Sequence, residues 1–150
     1  MPLEAALSQN DADALIILDK KAVDNTRWYL PAGGVFTDIP LVSVDEREKF
    51  RLGIRRAYIE LTKFTFTNLV QENIMLVRLD LNGPGHTNPD GEKLPCPHLH
   101  IYREGYGDKW ARVPPADILN NLRNVYDTLD SFMRFCHVVR FPVIERELFQ

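Results

Sequence analysis

The stretch Lys49-Phe50-Arg51-Leu52-Gly53-Ile54-Arg55 decides the fold class, because apolar and basic side chains alternate along it. The same alternation recurs in residues 62–70, where polar residues flank Phe64 and Phe66, and in residues 74–81. Side chains two apart in a strand share one face of a sheet. Each segment therefore has a core side and a polar side, which predicts an antiparallel sheet that is covered on one face.

A segment whose apolar residues have helical spacing precedes the alternating segments in the sequence. Residues 3–20 predict an N-terminal helix, in which Ser8 is the N-cap and Asp11 follows three residues later. Pro40 lies between this helix and the alternating segments, and it lacks a backbone N–H. We therefore expect the chain around Pro40 to be irregular or to lie at a sheet edge.

Helical spacing returns after Pro114 and Pro115, which suit the start of a helix. The apolar residues there predict an amphipathic helix of about five turns. They are Ile118, Leu122, Val125, Leu129, Phe132 and Met133. The whole sequence thus predicts a single α+β domain over residues 1–150. It has an N-terminal helix, an antiparallel sheet of about five to six strands covered on one face, and a long C-terminal amphipathic helix packed on the sheet.

Composition indicates a globular protein, with 45% hydrophobic and 26% charged residues. Two cysteines, Cys96 and Cys136, are too few for a disulfide framework. No apolar stretch is long enough to cross a bilayer, and the N-terminus does not resemble a signal peptide. We therefore expect a cytoplasmic protein with reduced thiols and no membrane association.

The charge is distributed unevenly, although the net charge is only −3. Residues 1–46 carry eight acidic and three basic side chains, whereas residues 47–79 carry seven basic and three acidic ones. The basic segment is either an ordinary solvated face or a surface that faces a polyanion.

The histidines are the strongest functional signal, because three of the four (His86, His98 and His100) lie within fifteen residues. Residues 82–97 are rich in turn formers and predict a long loop, and residues 98–103 predict a strand. In that strand His98, His100 and Tyr102 share one face, with neighbours about 7 Å apart. Both imidazoles then reach one phosphate or one metal ion. The fourth histidine, His137, is expected to be structural.

One interpretation is metal-independent cleavage of RNA. Histidine titrates near neutrality, so His98 and His100 would share general acid and base duty with assistance from His86. This interpretation needs no cofactor. The residues expected to contact the RNA or orient the site are Arg78, Lys63, Tyr102, Arg103 and Asp90.

A second interpretation is a metal site. The stretch His98-Leu99-His100-Ile101-Tyr102-Arg103-Glu104 has the form H-x-H-x3-E and resembles the first metal motif of cupins. With His86 or Asp90 it would supply imidazole and carboxylate ligands for iron, manganese or zinc, and the leading ligand set is His86, His98, His100 and Glu104. The second cupin motif is absent, since His137 is the only later histidine and has the wrong context.

Three stretches carry a family resemblance: Arg78-Leu79-Asp80, His86-Thr87-Asn88-Pro89-Asp90-Gly91 and the segment from Pro97 to Ala111. Over about residues 45–145 they resemble an uncharacterised family of bacterial and prophage proteins. Its pattern is R-x-D…H-x-N-P-D-G…P-H-x-H-x-Y-R-E-G…W-A.

A more distant similarity, in R-x-D…H…H-x-H, is to TumE-type toxins of toxin–antitoxin systems. That similarity implies a helix-plus-antiparallel-sheet fold like that of the RelE and barnase relatives, and an RNA substrate. It implies Arg78, His86, His98 and His100 as site residues. The chain departs from such ribonucleases in being acidic overall.

Three functions follow from these observations. The leading one is a metal-independent endoribonuclease of toxin or phage-defence type with RNA as its substrate. The second is a non-enzymatic protein that binds a cognate antitoxin or a protein of a defence complex. The third is a metal-dependent enzyme that uses the H-x-H-x3-E site.

Overall fold

Twelve strands and three helices follow one another along residues 7–147, the part of the chain that the computed structural model describes. The strands are β1 (Lys20–Ala22), β2 (Arg27–Trp28), β3 (Phe36–Ser43), β4 (Lys49–Arg56), β5 (Phe64–Val70), β6 (Ile74–Leu81), β7 (His86–Thr87), β8 (Lys93–Leu94), β9 (His98–Ile101), β10 (Ala111–Arg112), β11 (Val138–Arg140) and β12 (Val143–Ile144). The helices are α1 (Gln9–Ile17), α2 (Ala116–Leu119) and α3 (Val125–Phe135).

Eight of these strands form one mixed sheet, in the order β10-β9-β6-β5-β4-β3-β1-β11. Neighbours are antiparallel except β1 and β11, which are parallel. The predicted purely antiparallel sheet of about five to six strands is therefore wrong. The reason lies at the chain ends: β11 follows α3 and returns beside β1, and parallel pairing needs such a crossover connection.

The predicted long C-terminal helix is also wrong, because α2 has four residues and α3 eleven. Three asparagines, Asn120, Asn121 and Asn124, interrupt the pattern of apolar residues. Asn124 is the N-cap of α3 and accepts hydrogen bonds from the backbone N–H groups of Tyr126 and Asp127. Asparagine side chains compete for backbone groups in this way and favour helix ends over helix interiors. The fold is consequently dominated by its sheet.

The N-terminal helix is shorter than predicted, since α1 spans nine residues. Its cap agrees with the prediction, because the Ser8 hydroxyl accepts a hydrogen bond from the Asp11 N–H. The start of the predicted helix, at residues 3–6, lies outside the described residues.

The core lies between one face of the sheet and the helices. Strand β5 alternates buried and half-buried side chains, and Phe66 packs against Phe132 of α3 with ring centroids 5.9 Å apart. Pro40 lies inside β3, so the chain there is not irregular. At Pro40 only β4 pairs with β3, because β1 pairs with residues 41–43 alone. No helix among residues 7–147 is long and apolar enough to cross a membrane.

The opposite face of the sheet carries two cross-strand rows of mostly polar side chains, with Phe36 and Gly53 as the exceptions. Residues that pair directly across neighbouring strands lie on the same face. One row consists of Phe36, Arg55, Thr65, Asp80 and His98. The other consists of Asp38, Gly53, Thr67, Arg78 and His100.

Candidate functional site

Two histidines and an aspartate meet where β6 pairs with β9. Asp80 of β6 lies directly opposite His98 of β9, and Arg78 lies opposite His100. The alternation of β9 places both imidazoles on the same face, as the sequence predicts. The side chains of His98 and His100 are almost fully buried, at 4% and 2% exposed, so their environment is well shielded from solvent.

The two rings converge on one carboxylate oxygen. The Nε2 atom of His98 lies 3.0 Å from Oδ2 of Asp80, and Nε2 of His100 lies 3.1 Å from the same oxygen. One ligand-forming atom from each of the three residues lies within 4.8 Å of the others. The histidines thus point at a shared position beside Asp80.

The other ring nitrogens face backbone carbonyl groups. Nδ1 of His100 lies 2.7 Å from the Asp108 carbonyl oxygen, and Nδ1 of His98 lies 3.4 Å from that of Pro95. A neutral imidazole has one N–H group, so it donates at one of its two nitrogens. Each ring satisfies both contacts only if it is doubly protonated or if a cation lies on the Nε2 side.

The surroundings change the acidity of the carboxyl group. Burial raises the pKa of Asp80, but the hydrogen bond from His100 and the charges of Arg78 and both histidines outweigh burial and bring the pKa to about 2. Burial lowers the pKa of His98, and the attraction of Asp80 offsets this only in part. The site therefore holds a carboxylate beside an imidazole whose charged form is disfavoured.

Arg78 supplies the positive charge in this cluster. Its guanidinium bonds Asp80 with Nε at 3.2 Å from Oδ1 and bonds Asp108 with Nη1 at 2.7 Å from Oδ2. Its Nη2 atom lies 3.1 Å from Nε2 of His100 and 3.4 Å from Oδ2 of Asp80. The guanidinium therefore faces the same atoms that a bound metal ion would contact.

His86 lies beside the cluster, on the short hairpin of β7 and β8 that forms inside the predicted loop of residues 82–97. Its ring centroid is 4.7 Å from that of His100 and 5.5 Å from that of His98. Its Nε2–H donates to the Lys109 carbonyl oxygen at 2.9 Å. The structure thus brings together the three predicted histidines, although His86 does not aim a nitrogen at Asp80.

The cluster opens into a cleft of about 540 Å³ on the polar face of the sheet. The cleft is also lined by two basic and two hydroxyl side chains, which are Arg55, Lys63, Thr65 and Thr67. Within residues 7–147, Arg55 and Lys63 have no acidic partner and both threonine hydroxyls lack a hydrogen-bond partner. These groups are therefore available to a ligand, and they include the predicted Lys63.

Two residues predicted to bind substrate lie elsewhere. Tyr102 follows the end of β9 and is 5% exposed, and its hydroxyl donates to the Leu7 carbonyl oxygen at 2.7 Å. Since the strand ends at Ile101, Tyr102 does not continue the face of His98 and His100 and belongs to the core. The guanidinium of Arg103 lies 3.9 Å above the Trp110 ring, outside the cleft.

The acidic residues predicted for the site are also placed elsewhere. Asp90 lies in an exposed turn, where it accepts a hydrogen bond from the Glu92 N–H, and it does not orient a histidine. The Glu104 carboxylate accepts from the N–H of Gln9 at the start of α1. The H-x-H-x3-E ligand set is therefore not assembled in this structure. The carboxylate beside the histidines is Asp80.

Asp80 and Asp108 are absent from the sequence-based set of site residues. Asp80 carries a usable signal, because it lies two residues after Arg78 in an alternating strand and so shares its polar face. No comparable local signal exists for Asp108, which reaches Arg78 across thirty residues of sequence.

The fold and the site together define a class of protein: a mixed eight-stranded sheet with a histidine–aspartate cluster in a basic cleft on its polar face. The chain belongs to DUF6978, a family of unknown function, whose model matches residues 7–138. The match covers the strands of the cleft and the four site residues of β6 and β9, which are Arg78, Asp80, His98 and His100. No curated protein and no solved structure matches the chain significantly.

Proposed function

We propose that the protein is a metal-dependent hydrolase of phosphate esters, in which Asp80, His98 and His100 bind one divalent metal ion. The observation that carries the proposal is the convergence of two Nε2 atoms on one carboxylate oxygen. Two imidazoles and one carboxylate form a common ligand set for zinc, iron and manganese, and such a set leaves positions open for water and substrate.

The separations support this assignment. Ligand atoms about 2.1 Å from an ion lie roughly 3.0 Å apart at octahedral angles and roughly 3.4 Å apart at tetrahedral angles. The contacts from Oδ2 of Asp80 to His98 and His100 measure 3.0 and 3.1 Å. The separation within each histidine–aspartate pair is therefore close to that of two ligands of one ion, and the ligand atoms of all three residues lie within 4.8 Å of one another.

The contacts of the two Nδ1 atoms also support the assignment of a metal site. Metal-binding histidines usually donate their second N–H to a carbonyl or carboxylate, which fixes the ring and the tautomer. Here Nδ1 of His100 faces the Asp108 carbonyl group and Nδ1 of His98 faces that of Pro95. Both Nε2 atoms then face the position of the ion, although Nη2 of Arg78 lies 3.1 Å from that of His100 and would have to move aside. A bound ion would lower the pKa of a water molecule and polarise a phosphoryl oxygen.

The cleft suggests the substrate class. Arg55 and Lys63 line it without acidic partners among the described residues, in a chain of net charge −3. Basic side chains that are not neutralised by the protein favour an anionic ligand. Phosphate esters combine such a charge with a bond that metal-activated water hydrolyses.

The test is hydrolysis of bis(p-nitrophenyl) phosphate by protein that has been stripped of metal and then reloaded with Zn²⁺, Mn²⁺ or Fe²⁺. We expect activity to return with one of these ions and to be lost in His98→Ala and His100→Ala. His137→Asn is the matched control, since it removes an imidazole outside the cleft and asparagine tolerates the positive φ of 60° at this position. Equal activity with and without metal would contradict the proposal.

A second candidate function is metal-free cleavage of RNA, the activity implied by the similarity to TumE-type toxins. His86 supports it, because this half-buried residue lines the cleft and its Nδ1 has no partner within residues 7–147. An imidazole with one free nitrogen is suited to proton transfer. RNA cleavage that persists in excess EDTA and disappears in His86→Ala would favour this second function over the first.

A further inference from the structure

The polar face of the sheet extends from the histidine cluster to an exposed aromatic ring. Phe36 begins β3, pairs directly with Arg55 of β4, and is 41% exposed. It lines the same cleft as Arg78, Asp80 and the histidines. The exposed part of the ring gives one end of the charged cleft an apolar surface that a ligand can contact.

Gly53 explains how the ring is held. A Cβ atom on Gly53 would lie 2.8 Å from Cε2 and 2.9 Å from Cζ of Phe36, closer than carbon atoms approach. The ring thus lies over the bare backbone of β4, in space that any other residue would occupy. A glycine in a strand interior weakens the strand and often marks such a close approach.

Arg55 extends this aromatic surface. Its guanidinium carbon lies 5.2 Å from the centre of the Phe36 ring, and the side chain has no acidic partner within the described residues. Aromatic rings and guanidinium planes are the two surfaces on which unpaired nucleic-acid bases stack. The Phe36–Arg55 pair offers both at one place.

Side chains that can bind the phosphate and sugar groups of a nucleic acid lie between this pair and the histidines. Thr65 and Thr67 of β5 present free hydroxyl groups, and Lys63 lies beside them with its Cε atom 3.0 Å from where a Cβ on Gly83 would be. From β4 to β9 the sheet crosses three strand spacings, which is roughly 14 Å. That span holds a short piece of extended polynucleotide.

We propose that this face binds single-stranded nucleic acid, with a base stacked on the Phe36–Arg55 pair and the backbone running over Lys63 and the threonines toward Asp80. This inference rests on the proposed function, and it specifies that the phosphate ester is a polynucleotide. Single strands are favoured over duplexes because a stacking surface needs bases whose faces are exposed.

The test is fluorescence anisotropy with labelled single-stranded RNA and DNA of the same mixed sequence, and with the corresponding duplex. The titrations are made in EDTA, so that binding is measured without metal and without the metal-dependent turnover of the proposed hydrolase. We expect the single strands to bind more tightly than the duplex. Comparison of the RNA and DNA arms identifies which of the two chemically related strands is preferred.

Three variants test the placement. Phe36→Ala is expected to weaken binding at least about fivefold, in line with the usual effect of one lost stacking contact. Phe36→Tyr retains the ring and should bind as the wild type does. Lys63→Gln should reduce the slope of log Kd against log salt by about 0.7, the value for one phosphate contact on a single strand.

Lys49→Gln is the matched control for charge, because Lys49 is an exposed residue of β4 that lies outside the cleft. Equal affinity of Phe36→Ala and wild type, or an effect of Lys49→Gln as large as that of Lys63→Gln, would overturn the proposal. Strand binding without metal binding would instead refute the metal-dependent hydrolase and leave this binding face intact.

Discussion

Asp80 lies directly opposite His98 across the β6–β9 pair, and its Oδ2 atom is 3.0 Å from Nε2 of His98. This separation is that of an ordinary N–H···O hydrogen bond, and two bare lone pairs would repel each other at this distance. A proton or a metal ion must therefore lie between the two atoms. The proposed function assigns that position to a metal ion.

The carboxylate is the anionic ligand in this assignment. We expect Asp80→Asn to weaken the binding of Zn²⁺ by at least about 100-fold, because loss of an outer contact alone typically costs 10- to 100-fold. Calorimetric titration of metal-free protein measures the change. Asp90→Asn is the control, since Asp90 lies in an exposed turn outside the cleft. Equal zinc affinity of Asp80→Asn and wild type would be inconsistent with a ligand role for Asp80.

Arg78 should oppose metal binding, because its Nη2 atom faces Nε2 of His100 and Oδ2 of Asp80. We expect Arg78→Gln to bind Zn²⁺ more tightly than the wild type, since the substitution removes a positive charge from the ion's position. The same variant should bind an anionic substrate more weakly. Zinc affinity that falls in Arg78→Gln would indicate that the guanidinium stabilises the cluster and does not compete with the ion.

The break between α2 and α3 can be tested at Asn124, whose side chain accepts two backbone hydrogen bonds at the start of α3. Asn124→Ala should lower the free energy of unfolding by about 1 kcal/mol, the usual effect of losing an N-cap. Urea unfolding measures it, and Asn124→Asp should retain most of the stability. In a continuous C-terminal helix Asn124→Ala would instead be at least as stable as the wild type, because alanine has the higher helix propensity.

Lys20 gives a pH-dependent prediction away from the site. It is fully buried, its Nζ donates to the carbonyl oxygens of Ile16, Leu18 and Cys136, and burial lowers its pKa from 10.5 to about 8. Between these values the unfolded chain binds more protons than the folded chain, so the contribution of Lys20 to stability rises with pH.

We therefore expect the stability difference between wild type and Lys20→Met to shift by about 1 kcal/mol in favour of the wild type from pH 7.5 to pH 9. Urea unfolding at both pH values measures this difference. Burial raises the pKa of Cys136 to about 12, which lowers stability above pH 9, and comparison with Lys20→Met reduces this contribution because both proteins retain Cys136. A difference that does not change with pH would place the Lys20 pKa near its ordinary value.

The central strands and the histidine pair were predictable because their information is local. Alternation locates β4, β5 and β6 within a residue or two, and it places His98 and His100 on one face. The basic segment of residues 47–79 was interpreted as a solvated face or as a surface that faces a polyanion, and two of its basic residues, Arg55 and Lys63, line the cleft beside the histidines.

What the sequence did not reveal depends on contacts between distant segments. The role of Asp80 requires that β6 pairs with β9, and the parallel pairing of β1 with β11 joins residues more than one hundred positions apart. Strands β1 and β11 have three residues each, too few for a periodic signal. The broken C-terminal helix did leave a local signal in its asparagines, which an apolar pattern alone does not register.

The most direct test of the metal site is the metal stoichiometry of the protein. Metal-free wild type should bind one Zn²⁺ ion per chain in a saturable calorimetric titration, confirmed by elemental analysis after gel filtration. His100→Ala should show no such binding, while His137→Asn should bind as the wild type does. An absence of saturable binding of Zn²⁺, Mn²⁺ and Fe²⁺ to the folded wild type, or retention of the full stoichiometry and affinity in His100→Ala, would contradict the account.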